Sequence, residues 1–254
     1  MILLFDIGNT HTHLGLADDR RVVKVTNIPT SAWTAGCAGP LVAKFTRRAK
    51  IHAAALCSVV PSATPRAIDF IHSAWQLDCF VLGPRTLRGV GVAYPRPSSI
   101  GPDRLANALA ARQRFGAPAV VVDFGTAVTF DVIDRHGNYT GGIIAPGLAA
   151  MTDYLHEKTE LLPRIRIREP RSIIGRNTEQ AMLAGAVYGY RGLVRELIGR
   201  LKRELKSPRL PVVATGGYAK LIARGLPEIT TIVPDLTLEG LRLAHRAHAH
   251  GEGA

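Results

Sequence analysis

The chain has 254 residues, 46% of them hydrophobic and 20% charged, a globular composition with enough apolar material for one or two buried cores. No apolar run approaches the roughly 20 residues of a membrane span, and the chain enters a strand with no basic or apolar leader, so a mature cytoplasmic protein is expected. A formal charge of +12 fits either a nucleic-acid surface or a positive field that draws in an anionic substrate.

Ile2–Phe5 reads as a strand that ends in Asp6, followed by Gly8, Asn9 and Thr10 and a second strand near Leu14–Ala17. A third strand, Arg21–Ile28, follows the turn Asp18-Asp19-Arg20. A helix is expected at Leu41–Ala49, a buried strand at Ala53–Val60, a helix at Pro61–Trp75 and a short strand at Cys79–Leu82. The Gly/Pro-rich loop Gly83–Pro102 feeds a helix with Leu105, Leu109 and Ala110 on its apolar face. Pro102 suits the first turn, where no N–H is needed. Near Gly116 the order restarts: strand Val120–Val122, Asp123, Gly125, Thr126, a second strand, a turn at Asp134–Gly137, and a third strand from Tyr139.

Helices are then expected around Leu148–Leu161 and Thr178–Leu205, with a strand at Leu210–Ala214. Thr215-Gly216-Gly217 opens a helix at Tyr218–Arg224, and a strand at Thr230–Val233 precedes a last helix from Thr237 to about His248. Two α/β halves, 1–115 and 116–254, each opening with a three-strand meander, predict a pseudo-repeat with a cleft between them. The pattern leaves open that the last helix packs back on the first half.

The repeated turn carries the chemistry. Strand, Asp-x-Gly, Thr, strand occurs twice, 117 residues apart from Asp6 to Asp123. A glycine there lets a phosphate oxygen approach backbone N–H groups, hydroxyls donate to it, and each Asp can hold a cation or its water shell. Two carboxylates facing a polyphosphate repel it unless a metal lies between them. One such turn could be plain hairpin punctuation; two, each closing a strand of the same kind, point to a phosphate site.

Three other stretches matter. At Gly101-Pro102-Asp103-Arg104 a loop becomes a helix, so Asp103 is either a first-turn acid favoured by the helix dipole or a base with Arg104 as an anion clamp. Thr215-Gly216-Gly217 is a turn where glycine permits close approach of a nucleotide. Gly141–Gly147 is a tight bend or a ligand-lining stretch.

Other chemistries are poorly supported. Gly-Lys never occurs, which excludes a P-loop. Gly89-Val90-Gly91 lacks the third glycine of a dinucleotide fingerprint, and there is no Gly-x-Ser-x-Gly elbow. Cys37, Cys57 and Cys79 form no metal or disulfide pattern. His245, His248 and His250 read as an exposed helix end rather than a metal site. Of the two dense basic stretches, Arg164–Arg171 and Arg191–Arg209, the second reads as a solvated helix face opposite Leu193, Leu197, Ile198, Leu201 and Leu205.

Seven stretches, in order, resemble the type III pantothenate kinases over nearly the whole chain. They are DIGNT at Asp6–Thr10, GPDR at Gly101–Arg104, DFGTAVTFDVID at Asp123–Asp134, GGIIAPG at Gly141–Gly147, IGRNT at Ile174–Thr178, TGGYA at Thr215–Ala219 and DLTLEGL at Asp235–Leu241. The resemblance implies an α/β fold of duplicated actin- and hexokinase-like domains, the acetate and sugar kinase superfold, with ATP in the cleft between the two hairpins. It implies transfer of the γ-phosphate of ATP to pantothenate, giving 4'-phosphopantothenate for coenzyme A biosynthesis. The nucleotide is then met by Asp6, Ile7, Gly8, Asn9, Thr10, His11, Thr12, His13 and Thr126. Asp103 acts as base, and Tyr94, Gly101, Pro102, Asp103, Arg104 and Thr178 meet pantothenate. Asp123 holds a monovalent cation, K⁺ or NH₄⁺, and Asp6 holds Mg²⁺ through water. A homodimer is implied, with Thr178 reaching across its interface and the apolar face Leu193–Leu205 available to a partner.

The chain departs from the family pattern at Pro102, usually Ala, and at Arg96, commonly Asn. A membrane is not an expected partner, since no apolar run is long enough to span one, and nucleic acid is not expected, since the basic residues are spread along the chain. The competing readings are a non-enzymatic accessory or regulatory homologue and a related small-molecule kinase.

Overall fold

Each of the two halves of the chain builds a sheet around a strand whose side chains are almost all buried. The structure, a computed structural model, describes residues 1–249 and 251. Contacts divide it into two units: Met1–Arg114 with Gly137–Thr140 and Asp235–Ala254, and Phe115–His136 with Gly141–Pro234.

The first unit contains β1 (Ile2–Ile7), β2 (His11–Ala17), β3 (Val22–Pro29), α1 (Ser31–Thr34), α2 (Ala38–Thr46), β4 (Ala53–Ser58), α3 (Thr64–Trp75), β5 (Cys79–Val81) and β6 (Gly91–Val92), then α4 (Pro102–Phe115). Its sheet runs β3-β2-β1-β4-β5, antiparallel across β3-β2-β1 and parallel across β1-β4-β5. Leu3, Phe5 and Ile7 of β1 pack with Trp33, Val42, Phe45 and Ile71 on one face, while Leu4 is equally buried on the other. A strand covered on both faces reads as a continuous apolar run, as Ile2–Phe5 does.

The second unit contains β7 (Ala119–Phe124), β8 (Ala127–Ile133), the later part of β9 (Asn138–Pro146), α5 (Leu148–Lys158), α6 (Thr178–Ala184), a π-helical turn at Gly185–Gly189, α7 (Tyr190–Glu204), β10 (Val212–Thr215), α8 (Ala219–Ala223) and β11 (Thr231–Ile232). The six-stranded sheet runs β11-β10-β7-β8-β9-β6; its first five strands repeat the order of the first sheet, with the opening hairpin antiparallel and β10 and β11 added in parallel, and β6 is an extra edge strand. The expected pseudo-repeat is thus present in the topology.

The final helix, α9 (Leu236–Ala249), returns to the first unit and packs on β1, β2 and β4. Thr237 Oγ1 donates to Asn107 Oδ1 of α4 at 2.9 Å, and Arg242 donates to the carbonyl of Asp19 at 2.6 Å. Gly240 is required for this seating, since a Cβ there would meet the Ala106 carbonyl oxygen at 1.9 Å. The units therefore differ from the halves 1–115 and 116–254 in assigning both Gly137–Thr140 and α9 to the first.

Several local expectations change. The single helix Thr178–Leu205 is two helices joined by the π turn. The apolar face of α7 is not open to a partner: Val194, Ile198 and Leu201 are buried in the second unit's core, and Leu193, Leu197 and Leu205 pack against it. Arg191, placed by sequence on a solvated face, is buried. It bonds Glu169 through two 2.8 Å contacts and also donates to the carbonyls of Leu221 and Ile222. The helix expected from Pro61 begins at Thr64, and α1 was not legible at all.

Candidate active site

The first Asp-x-Gly-x-Thr turn joins β1 to β2. Gly8 N–H donates to the His11 carbonyl at 3.0 Å, which leaves Asn9, Thr10 and His11 exposed at the tip. Strand parity then sorts the side chains. Asp6 and His13 face each other across the hairpin and are partly exposed, whereas Ile7 and Thr12 point into the core. Ile7 and Thr12 therefore offer a ligand only their main chain. The Thr12 hydroxyl meets Thr30 Oγ1 at 3.1 Å and accepts from the Trp33 indole at 3.1 Å, while Thr30 donates to the Gly8 carbonyl at 2.7 Å. This buried chain braces the turn from behind. His13 Nδ1 lies 2.6 Å from Asn27 Oδ1.

Beside β1, Cys57 of β4 stands in register with Asp6, and its thiol contacts Asp6 Oδ1 at 3.6 Å. Burial raises the thiol's pKa well above normal, and the charges of Asp6 and Asp103 raise it further. Cys57 therefore stays protonated and donates.

Asp103 sits in the first turn of α4, which Pro102 opens. Its Oδ1 accepts from the Arg104 N–H at 2.9 Å. Burial raises its pKa, against the lowering effects of that N–H and of the Arg104 guanidinium. Gly101 makes room for it: a Cβ there would lie 2.4 Å from Asp103 Oδ1 and 3.4 Å from Val59. A carboxylate desolvated enough to hold a proton more tightly, yet ionised with help from a neighbouring guanidinium, is suited to act as a base. Tyr94 is 37% exposed and packs edge-on against Tyr139, and Arg104 lies over the same ring. Arg96 is exposed ahead of the short turn Pro97–Ser99 and accepts through its carbonyl from Ser99.

The second turn, in the second unit, is built differently. Gly125 N–H donates to the Ala127 carbonyl at 3.1 Å, so only Gly125 and Thr126 separate β7 from β8, and both are exposed. Asp123 pairs across to Thr129 on one side and Thr215 on the other. Gly216 follows with φ +88°, and a Cβ there would meet Asp123 Oδ1 at 2.5 Å and the backbone of Phe124 at 2.7 Å. Gly147 approaches as closely from the other direction, its N–H donating to the Thr126 carbonyl at 3.1 Å where a Cβ would be 2.2 Å from that oxygen. Both glycine stretches singled out in the sequence, Gly141–Gly147 and Thr215–Gly217, therefore press against this turn. Thr178 is exposed at the first residue of α6, whose N-cap Asn177 accepts from the Gln180 N–H at 2.9 Å.

The chain matches a family model described as type III pantothenate kinase over residues 2–200. A type III pantothenate kinase of Akkermansia muciniphila is 46% identical over 243 residues, covering 95% of this chain and 97% of that protein. One of Geobacter sulfurreducens is 40% identical over 252 residues, covering 96% and 98%. The chain belongs to the type III pantothenate kinase family.

Solved structures with much lower identity share the fold of this family member. A Carboxydothermus hydrogenoformans ethanolamine utilization protein, EutJ, aligns with a TM-score of 0.53 at 17% identity over 95% of this chain and 88% of that one. A polyphosphate/ATP-glucomannokinase of an Arthrobacter strain aligns at 0.50 and 15% identity over 98% of each. The duplicated actin- and hexokinase-like α/β fold implied by the sequence is the fold of this chain.

Among the described residues no helix is long and apolar enough to cross a membrane. Nor, among them, do three or more His, Cys, Asp or Glu side chains gather where they could hold a metal alone. His245 and His248 lie against the Phe80 ring, with centroids 5.9 and 4.9 Å away, and His250 falls outside the described residues.

Proposed function

We propose that this type III pantothenate kinase family member transfers the γ-phosphate of ATP to the primary hydroxyl of pantothenate, the first step toward coenzyme A. The observation that carries the reading is Asp103, held by Gly101 and the start of α4 beside Arg104, with its proton affinity raised by burial.

In-line phosphoryl transfer passes through a loose transition state, so most of the catalysis is positioning and charge neutralisation. Asp103 accepts a hydrogen bond from the substrate hydroxyl and takes its proton as the new O–P bond forms and ADP departs. Arg104 clamps the pantothenate carboxylate or its neighbouring amide, and Tyr94, Gly101, Pro102 and Thr178 complete the acceptor side. The N–H groups and exposed side chains of Asp6–His13, together with Thr126, bind the nucleotide.

Two cations suit the residues present. Asp6, a single partly exposed carboxylate, fits Mg²⁺, which keeps several waters and takes its remaining ligands from substrate phosphates. Asp123 fits a monovalent ion such as K⁺ or NH₄⁺, because it is a partly exposed carboxylate near the end of β7 and offers a hard oxygen ligand. When bound, these ions offset the repulsion between the polyphosphate and the two aspartates.

The working form we propose is a cytoplasmic homodimer in which Thr178 serves the partner's pantothenate. Co-expression of Asp103→Asn with Thr178→Ala tests this: random assembly makes about half the dimers mixed, each with one intact site, and about a quarter of wild-type activity returns. No recovery from demonstrated mixed dimers excludes the shared site.

The reaction itself is tested by ADP release with Mg²⁺ and K⁺, with and without pantothenate. Release that depends on pantothenate supports the assignment. Faster turnover with another small alcohol makes the chain a related small-molecule kinase, and no turnover with any acceptor makes it an accessory homologue.

A further inference from the structure

Tyr139 belongs to none of the residue sets above, yet two of the acceptor residues rest on it. Its ring is fully buried. The Arg104 guanidinium lies over it at 5.7 Å from the centroid, and the Tyr94 ring meets it at 6.2 Å with an interplanar angle of 62°. Arg104 comes from α4 and Tyr94 from the loop after β6. Each is a long side chain on a separate element, with rotamer freedom to lose before it can meet a substrate in one geometry.

The ring is itself firmly placed. Tyr139 lies at the start of β9, where β6 pairs in parallel as Gly91↔Asn138 and Val92↔Tyr139, and the Ala93 N–H donates to the Tyr139 carbonyl at 2.9 Å. Gly91 makes the pairing possible, because a Cβ there would lie 2.0 Å from Asn138 Oδ1. Arg112 of α4 donates to the Gly89 carbonyl and runs past Gly137, where a Cβ would meet its Nε at 2.6 Å. The short segment Gly137–Thr140, which contacts assign to the first unit, therefore brings this one aromatic beneath Arg104 and Tyr94.

We propose that Tyr139 is a positioning residue for the acceptor substrate. Its face holds the Arg104 guanidinium by a cation–π contact and its edge sets the Tyr94 ring, so both are oriented before pantothenate arrives. The inference rests on the proposed function.

The test is steady-state kinetics of the full-length enzyme, varying pantothenate and ATP separately, for wild type, Tyr139→Leu, Tyr139→Met and Tyr139→Phe, with folding checked by thermal melting. Tyr139→Leu and Tyr139→Met raise KM for pantothenate about tenfold and leave KM for ATP within twofold, and Tyr139→Phe, which keeps the ring, stays within threefold of wild type. In an Arg104→Met background, Tyr139→Leu adds about threefold rather than tenfold, because only its contact with Tyr94 remains to be lost. A KM for ATP that rises as much as that for pantothenate, a fall in kcat alone, or a full tenfold effect without Arg104 overturns the inference. Absence of pantothenate turnover in the wild type is a different result and overturns the proposed function instead.

Discussion

The two Asp-x-Gly turns occupy the same place in two sheets that share a five-strand order, yet the residues that the register sets beside them differ. In the first, a donor reaches the carboxylate: Cys57 stands in register with Asp6 and its thiol contacts Oδ1 at 3.6 Å. In the second, Thr215 holds the register position, and the next residue, Gly216, withholds a Cβ that would have met Asp123 Oδ1 at 2.5 Å. The first turn is also the longer, with Gly8, Asn9 and Thr10 between its strands against Gly125 and Thr126 in the second. A duplicated motif has thus become one turn with a broad polar tip, whose carboxylate meets a thiol, and one short turn with a glycine backbone packed closely against its carboxylate.

The largest expected effect tests the acceptor chemistry proposed for Asp103 in the first repeat. Asp103→Asn should lower kcat by about 10²–10⁴ with KM for ATP little changed. Near-wild-type turnover would return Asp103 to a capping role. The same residue sets a pH signature. Burial raises its pKa, so its base form is lost as pH falls through a value above the ordinary 3.8. The acid limb of kcat/KM should lie above that value and be absent from the residual activity of the Asn variant.

Next comes the frame of the second repeat. Arg191→Met removes a buried guanidinium from Glu169 and two carbonyls and should cost roughly 3 kcal/mol in chemical denaturation. Arg191 lowers the pKa of Glu169, so this stabilisation is complete above the unfolded value near 4.5 and is lost as pH falls through the lower folded value. The variant's stability should accordingly fall less steeply in acid than the wild type's. An equal acid dependence in both proteins would show that the pair contributes nothing.

Gly216→Ala sharpens the contrast between the two aspartates directly. With φ +88° and no room beside Asp123, it should raise the K⁺ concentration for half-maximal activity about tenfold, whereas Gly125→Ala, 3.8 Å from the same oxygen, should do less. Equal effects would remove the special role of Gly216. The smallest effect belongs to the carboxylate that meets the thiol: Cys57→Ala should raise KM for Mg-ATP about threefold, with Cys57→Ser restoring the donor and most of the loss. Identical behaviour of the two variants would mean that the thiol merely fills space.

How much was legible depended on whether the signal was local. Ile2–Phe5 and Val120–Val122 announced their strands because strands covered on both faces are apolar at every position. The Gly101–Arg104 turn was readable because Pro at a helix start and an acid in the first turn are local preferences. The break at Gly185–Gly189 was not, since the apolar spacing runs straight through it. The helical spacing sets Arg191 on a solvated face because nothing near it in sequence announces Glu169, 22 residues upstream, as its partner.

By itself, then, the sequence determined the duplicated turns, the order of elements and the family, all of which rest on short-range spacing. The tertiary structure alone decided which side chains those turns leave accessible. Strand parity turns Thr12 inward while Asp6 stays partly exposed, a contact between α4 and α9 requires Gly240, and the parallel pairing of β6 with β9 brings Tyr139 under Arg104. The physical reason is that burial and ring contacts depend on residues dozens of positions apart, and only the folded chain brings those residues within the few ångströms over which such forces act.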